Sequence, residues 1–298
     1  MELINRVARM SDISRKLLTA DVKIGLVPTM GAIHPGHLSL IHTARRMTDV
    51  VVVTIFVNRL QFLTDTEYEQ YPRDITKDVD ILRDENIDYV FTPSEEEMYP
   101  PGFSTYVAVE GLGDKIPGVY KDKFFKGMTT NTMKMLQIVK PSFVFLGHKD
   151  GLHGAILRKM MIDLNTNTEV VITPVVRDAS GLAYAARNYF LGKAEKEAAA
   201  VIYRSLMAAE SAIAEGETQS RKIVKAITAV IASEPSAKLE YAVVVDPVTL
   251  DPMAKIEGSA LIGVGAMIGG TLLNDSLLIE NPVRAAGGSG QDLKGKAG

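Results

Sequence analysis

The run VVVVTIFV, residues 50–57, constrains the fold more than any other stretch of the chain. A strand with one wet face alternates apolar and polar side chains, so an almost unbroken Val/Ile/Phe run needs apolar cover on both faces. Interior strands of parallel sheets have such cover, and parallel neighbours are joined by crossovers that are usually helical. The run is also far too short to span a bilayer as a helix. A sheet sandwiched between helices follows.

The remainder of the chain to about residue 190 fits that scheme. Ile24 to Pro28 reads as a strand and Gly36 to Met47 as a helix with Leu38 and Ile41 on its covered side. Ile75, Val79 and Leu82 recur at helical spacing, and DYVFTP gives another strand. SFVFLG, then GLHGAILRKMMIDL with Leu152, Ile156 and Met160 four apart, then TEVVITPVV repeat the unit. The succession predicts an α/β fold with a doubly wound, Rossmann-like parallel sheet, in which ligands bind beyond the carboxyl ends of the strands.

Past residue 190 the pattern changes. KAEKEAAAVIYRSLMAAESAIAEGE and SRKIVKAITAVIASEP read as helices, the second capped by Ser220 and ended near Pro235. KLEYAVVVDP and SALIGVGAMIGGTLLN read as strands with DPVTLDP as the turn between them. A first domain over 1–189, a smaller α/β domain over 190–283 and a polar, glycine-rich tail over 284–298 are therefore expected.

Charge and composition exclude several classes. A net charge of -3 gives no electrostatic footprint for nucleic acid or an anionic membrane. Without cysteine there is no disulfide, thiolate chemistry or sulfur-rich metal site. The start, MELINRVARMSDISRKLLTADVK, is amphipathic and charged and lacks the apolar core of a signal peptide. A soluble cytoplasmic protein is expected.

The five histidines, His34, His37, His42, His148 and His153, all precede residue 154. His34 and His37 fall in a strand-to-helix connection, where free N–H groups and the helix field favour an anion. Gly31 and Gly36 let backbone approach phosphate closely. Three readings stand for HPGH: phosphate contact, a structural turn, or metal. Zinc lacks a third ligand, because H-E-x-x-H spacing is absent and His42 lies off the helical face of His37.

PTMGAIHPGHLSL resembles the signature of the pantoate-beta-alanine ligase family, within the wider group of nucleotidyltransferase-like enzymes that carry H-x-G-H. FVNRLQF, YPRDITKDVD, VFTPSEEEMYP, LGHKD, PVVRDASGLAYAARNYFL and LLND extend the likeness, in order, over about residues 22–280. The resemblance implies a two-step reaction. A hydroxy acid is adenylated by ATP with loss of pyrophosphate, and an amine such as beta-alanine then displaces AMP.

Residue by residue, the resemblance implies that His34 and His37 contact phosphate and that Met30 and Gly31 line the nucleotide and acid pockets, with Pro28 and Thr29 shaping their loop. It implies Lys149 at the α-phosphate, Asp150 at the ribose, Gly147 and Val176 against the nucleotide, and Arg187 at the outer phosphates beside Tyr184, Ala185 and Ala186. Asn58 and Gln61 match the segment that holds the acid, and Asp78 matches a carboxylate near magnesium. A homodimer with a C-terminal lid is also implied.

The chain departs from the family where the acid is held. Arg59 stands where a proline is usual, Leu152 and His153 replace two glutamines, and Ala185 and Ala186 replace two serines. Lys126 stands where an arginine is expected, Tyr184 replaces a smaller aliphatic residue, and TLLND lacks a basic residue. His153 can supply a donor but not the paired donor and acceptor of an amide. The acid used, or even retention of the chemistry in place of a divergent nucleotide-binding role, is the question these positions raise.

Overall fold

A computed structural model of the protein describes residues 1–62, 64–111, 115 and 122–280. The expected tail over 284–298 and all of the stretch 116–121, IPGVYK, fall outside the described residues.

Among the described residues, nine strands form two sheets. The first holds β1 (Glu2–Ile4), β2 (Ile24–Thr29), β3 (Val50–Ile55), β4 (Tyr89–Phe91), β5 (Phe143–Gly147) and β6 (Glu169–Thr173), ordered β1-β4-β3-β2-β5-β6 with every pairing parallel. Val51, Val52 and Val53 of β3 are fully buried, as their unbroken apolar run demands. The sheet winds outward in both directions from β2, which places the switch point beyond the carboxyl ends of β2 and β5.

Helices supply the cover. They are α1 (Val7–Thr19), α2 (Pro35–Met47), α3 (Asp65–Gln70), α4 (Ile75–Arg83), α5 (Glu95–Met98), α6 (Asp122–Val139) and α7 (Gly151–Asp163). Pro35 opens α2 at a first-turn position, where its missing N–H costs nothing, and Arg45 and Arg46 end it, complementing the dipole. Ile41 and Ala44 of α2 bury against Val51, Val53, Val90 and Phe145 in one apolar cluster.

Several elements differ from expectation: the alanine-rich helix is two, Lys193–Ala199 and Val201–Ala214, and Gln219, not Ser220, is the N-cap of the helix Ser220–Ala232. The N-terminal segment is not merely an amphipathic start: β1 adds an edge strand beside β4, and α1 buries Met10 and Ser14. Three residues carry no periodicity, so β1 leaves no mark in the sequence. The apolar stretch 259–274 is also not one strand. It folds into β8 (Ala260–Ile268) and β9 (Thr271–Ile279), turning at Gly269 and Gly270, whose φ values of 54° and 85° suit a two-residue hairpin turn. With β7 (Ala237–Val245) they make an antiparallel three-stranded sheet, after the helices α8 (Lys193–Ala199), α9 (Val201–Ala214) and α10 (Ser220–Ala232).

The smaller sheet is packed against α7 and the turn that follows β5. Leu152 of α7 shares an apolar cluster with Tyr241, Val243, Leu261 and Leu272. Polar bonds reinforce the contact: the Gly151 N–H donates to Ser276 Oγ at 3.2 Å, and that hydroxyl donates to the His148 carbonyl. Strand β9 thus runs beside the 3-10 turn His148–Asp150.

Candidate active site

A cavity of about 290 Å³ opens at the switch point. It is walled by the loop after β2, the turn after β5, one face of α6, the segment 173–188 and residues 273–275 of β9. Each wall has an identifiable cause.

The loop after β2 is held from below. Gly31 has a φ of 82°, which a side chain rarely adopts, and a Cβ there would also meet Asp78 Oδ2 at 2.8 Å. The Asp78 carboxylate, 3% exposed, accepts from the Ala32 N–H at 2.9 Å and the Ile33 N–H at 2.8 Å. Asp78, expected as a magnesium ligand, is thus a loop anchor that does not line the cavity. Gly31 likewise shapes the loop from outside the wall.

The anchored loop delivers the two histidines. His34 is the N-cap residue of α2, in extended conformation, and its carbonyl accepts from the His37 N–H at 2.8 Å. The two imidazoles stack with centroids 3.8 Å apart and planes 19° from parallel. A Cβ on Gly36 would meet His34 Cε1 at 2.9 Å, so glycine there makes room for the ring. Burial, and then the charge of Lys149, lower the His34 pKa to about 4; burial and the His34 ring hold His37 well below 6.5. Both rings are neutral near pH 7, and the Nδ1 atom of each is buried without a hydrogen-bond partner among the described residues.

The turn after β5 brings the charge. Lys149 Nζ donates to Asp150 Oδ1 at 2.8 Å, and Asn274 Nδ2, from β9, donates to the same oxygen at 2.7 Å. Desolvation pushes the Asp150 carboxyl up, but Lys149, His153 and Asn274 outweigh it and hold it below the usual carboxylate range. His153, one turn into α7, lies with its ring centroid 5.4 Å from that of Phe124, and burial lowers its pKa to about 4. A lysine held at a strand end beside two neutral imidazoles is an anion site with one strong point charge.

Arg187 closes another side. The segment 174–188 doubles back, with the Tyr184 N–H donating to the Val176 carbonyl at 3.0 Å, and so carries Tyr184, Ala185, Ala186 and Arg187 into the wall. Arg187 Nε donates to Glu67 Oε1 of α3 at 2.9 Å, with both side chains mostly buried.

Three buried histidines give a pH prediction. The unfolded chain protonates them below about pH 6.5, whereas the fold keeps His34 and His153 neutral down to about pH 4. The unfolded state therefore binds more protons across that window, and stability falls as pH drops through it. Urea midpoints measured at pH 7, 5.5 and 4.5 should decrease in that order. Equal midpoints would contradict the burial described for these rings.

The comparisons with known proteins agree with this geometry. The sequence pattern described as Pantoate-beta-alanine ligase matches residues 2–278. The chain belongs to the pantoate-beta-alanine ligase family. It is 42% identical over 287 residues to the pantothenate synthetase of Koribacter versatilis, covering 96% of this chain and 99% of that one. A crystal structure of pantoate-beta-alanine ligase, or pantothenate synthetase, from Thermus thermophilus superposes with a TM-score of 0.85 at 34% identity, covering 93% and 99% of the two chains. That of the Francisella tularensis ligase, complexed with beta-gamma ATP and beta-alanine, superposes with a TM-score of 0.75 at 31% identity, covering 93% and 97%.

Measured against the family, the departures sort into two groups. Leu152, 6% exposed, is core under β8, where a Cβ on Gly263 would meet its Cδ1 at 2.6 Å. Arg59 pairs with Asp65 at 3.0 Å and lies over the Tyr68 ring, and Lys126 lies over the Tyr106 ring; neither lines the cavity. His153, Tyr184, Ala185 and Ala186 do. Asn58, expected to bind the acid, is a 1% exposed brace: its Oδ1 accepts from the Leu60 N–H, and its Nδ2 donates to the Gly127 carbonyl at 3.0 Å and to Gln61 Oε1 at 3.1 Å. Gln61 itself faces the cavity, as do Pro28, Thr29, Met30, Gly36, Gly147 and Val176.

Sequence reasoning missed the α6 wall and β9. Phe124, Met128, Asn131 and Thr132 follow a helical face, and the two polar residues interrupting it were the available signal. Asn274 lies inside the LLND motif, but 124 residues separate it from Asp150, so nothing local in the sequence says that it holds that carboxylate.

Proposed function

We propose that this cavity condenses pantoate with beta-alanine at the expense of ATP through a pantoyl-adenylate. The observation that carries the reading is the convergence of Lys149, the His34–His37 stack and Arg187 on one enclosed space. A pantoate carboxylate oxygen attacks the α-phosphorus, and the bond to the β-phosphate oxygen breaks to release pyrophosphate. Lys149 balances the negative charge that spreads over the α-phosphate oxygens, and the neutral histidines donate N–H bonds without adding like charge to Lys149. Arg187 offers a planar donor fork to the departing pyrophosphate. The amine nitrogen then attacks the acyl carbon and the acyl C–O bond breaks, so AMP keeps the oxygen.

The apolar part of the wall, with Phe124, Met128 and Leu157, keeps water from the adenylate. A divergent nucleotide-binding protein without this chemistry is not favoured, since a site freed of catalysis has no use for two neutral histidines and a mostly buried lysine facing one another. Among the described residues no group of three His, Asp or Glu side chains would hold a metal ion. Magnesium belongs in this reading on the nucleotide phosphates, which suits its habit of keeping water and leaning on substrate oxygens.

The same reading takes the enzyme as a cytoplasmic homodimer whose residues 190–283 form a smaller unit over the nucleotide. Exposed Ile162, Leu164 and Ile172 near edge strand β6 support self-association, and no described helix is long and apolar enough to cross a membrane. The test is pyrophosphate release from ATP with pantoate. A stoichiometric burst without amine, becoming steady turnover when beta-alanine is added, is the expected result. Absence of a burst with an otherwise steady turnover would argue for a concerted route.

A further inference from the structure

On the α6 face that meets the cavity, Phe124, Met128, Asn131 and Thr132 stand at i, i+4, i+7 and i+8. The first two are ordinary wall residues. Asn131 is not, because its Oδ1 is buried and has no hydrogen-bond partner among the described residues. Buried amide oxygens are nearly always paired, so one left open in a cavity wall points to a donor that arrives with the ligand.

Its place says which ligand. Asn131 lies one helical turn from Gly127, whose carbonyl accepts the Asn58 amide that also holds Gln61. The family likeness assigns Gln61 to the acid, and α6 braces Gln61 through Asn58, so α6 with Gln61 is taken as the acid side. A carboxylate and phosphates offer only acceptors to an amide oxygen. The donors an acid can bring are its hydroxyls.

We propose that Asn131 is a specificity-determining residue that accepts a hydrogen bond from a hydroxyl of the acid beyond its α-carbon, and so selects dihydroxy acids over acids hydroxylated only at that carbon. The assignment rests on the ligase reading above. Pantoate, with hydroxyls on its second and fourth carbons, meets the requirement. Its 4-deoxy analogue, 2-hydroxy-3,3-dimethylbutanoate, does not.

The test compares kcat/KM for the two acids, with ATP and beta-alanine saturating, in the wild-type chain and in N131L, which keeps the side chain's size but removes the acceptor. The wild type should prefer pantoate by about ten- to a hundredfold, as expected when a site built for a hydroxyl meets a substrate lacking it. In N131L that preference should shrink toward unity while the KM for ATP and for beta-alanine stays put; N131A serves if N131L does not fold. Equal use of both acids by the wild type overturns the assignment, as does full discrimination in the variants. A change confined to the beta-alanine KM would overturn it in favour of the ammonium as donor. If the wild type releases no pyrophosphate with either acid, the ligase reading fails and this assignment with it.

Discussion

Lys149→Met lowers pyrophosphate release from ATP and pantoate by about 10²–10³-fold in single-turnover assays, the loss typical of removing one strong donor to developing charge. The reason is geometric as much as electrostatic. Lys149 is the cation that the strand end, Asp150 and Asn274 together hold in the cavity. Methionine keeps much of the side chain's length and none of the charge, so circular dichroism and the urea midpoint should stay close to wild type while the rate collapses. A rate within a few-fold of wild type would remove Lys149 from the phosphate site.

Asp275→Ala destabilises the protein by about 3–5 kcal/mol, the range for stripping one partner from a buried ion pair. Asp275 is 4% exposed at its side chain and takes both terminal nitrogens of Arg177, with the Nη2 to Oδ1 bond at 3.2 Å. Arg177 also lies over the Tyr203 ring, its guanidinium carbon 4.1 Å from the centroid, and donates to the Gly181 carbonyl at 3.2 Å. The pair therefore ties β9 to the segment that carries Arg187 and to α9. Replacing both residues with apolar ones, as in R177M with D275L, should recover part of the loss, because no charge is then stranded. Urea denaturation of the wild type and the two variants checks the ordering. A double variant weaker than D275A by the full cost of a second lesion would contradict it.

How much of this was readable from the sequence depended on the distance over which each feature is encoded. The Val run of β3 and the strand-helix units around β2 and β5 carry their periodicity locally, and they emerged where expected. The short edge strand β1 and the turn at Gly269 and Gly270 did not: three residues hold no period, and an apolar hairpin reads as one long strand until its glycines are given positive φ. At the site, His34, His37, Lys149 and Arg187 were marked by motif and do line one cavity. Asn58 and Asp78 were marked by the same motifs but work a layer behind, on backbone groups, because a motif identifies which residues matter without saying what each one touches. The partner of Asn274, and Asn131 altogether, became visible only when strands and helices distant in sequence were brought together.

The most direct test of the central claim follows the oxygen. Pantoate labelled with oxygen-18 in its carboxylate is incubated with the enzyme, ATP and beta-alanine, and the products are read by mass spectrometry. An acyl-adenylate predicts AMP carrying one labelled oxygen and pyrophosphate carrying none, since the attacking oxygen stays on the α-phosphorus when the amine takes the acyl group. Label in inorganic phosphate with ADP as the other product would mean an acyl-phosphate instead, and would contradict the roles of Lys149, the histidine pair and Arg187 in adenylation.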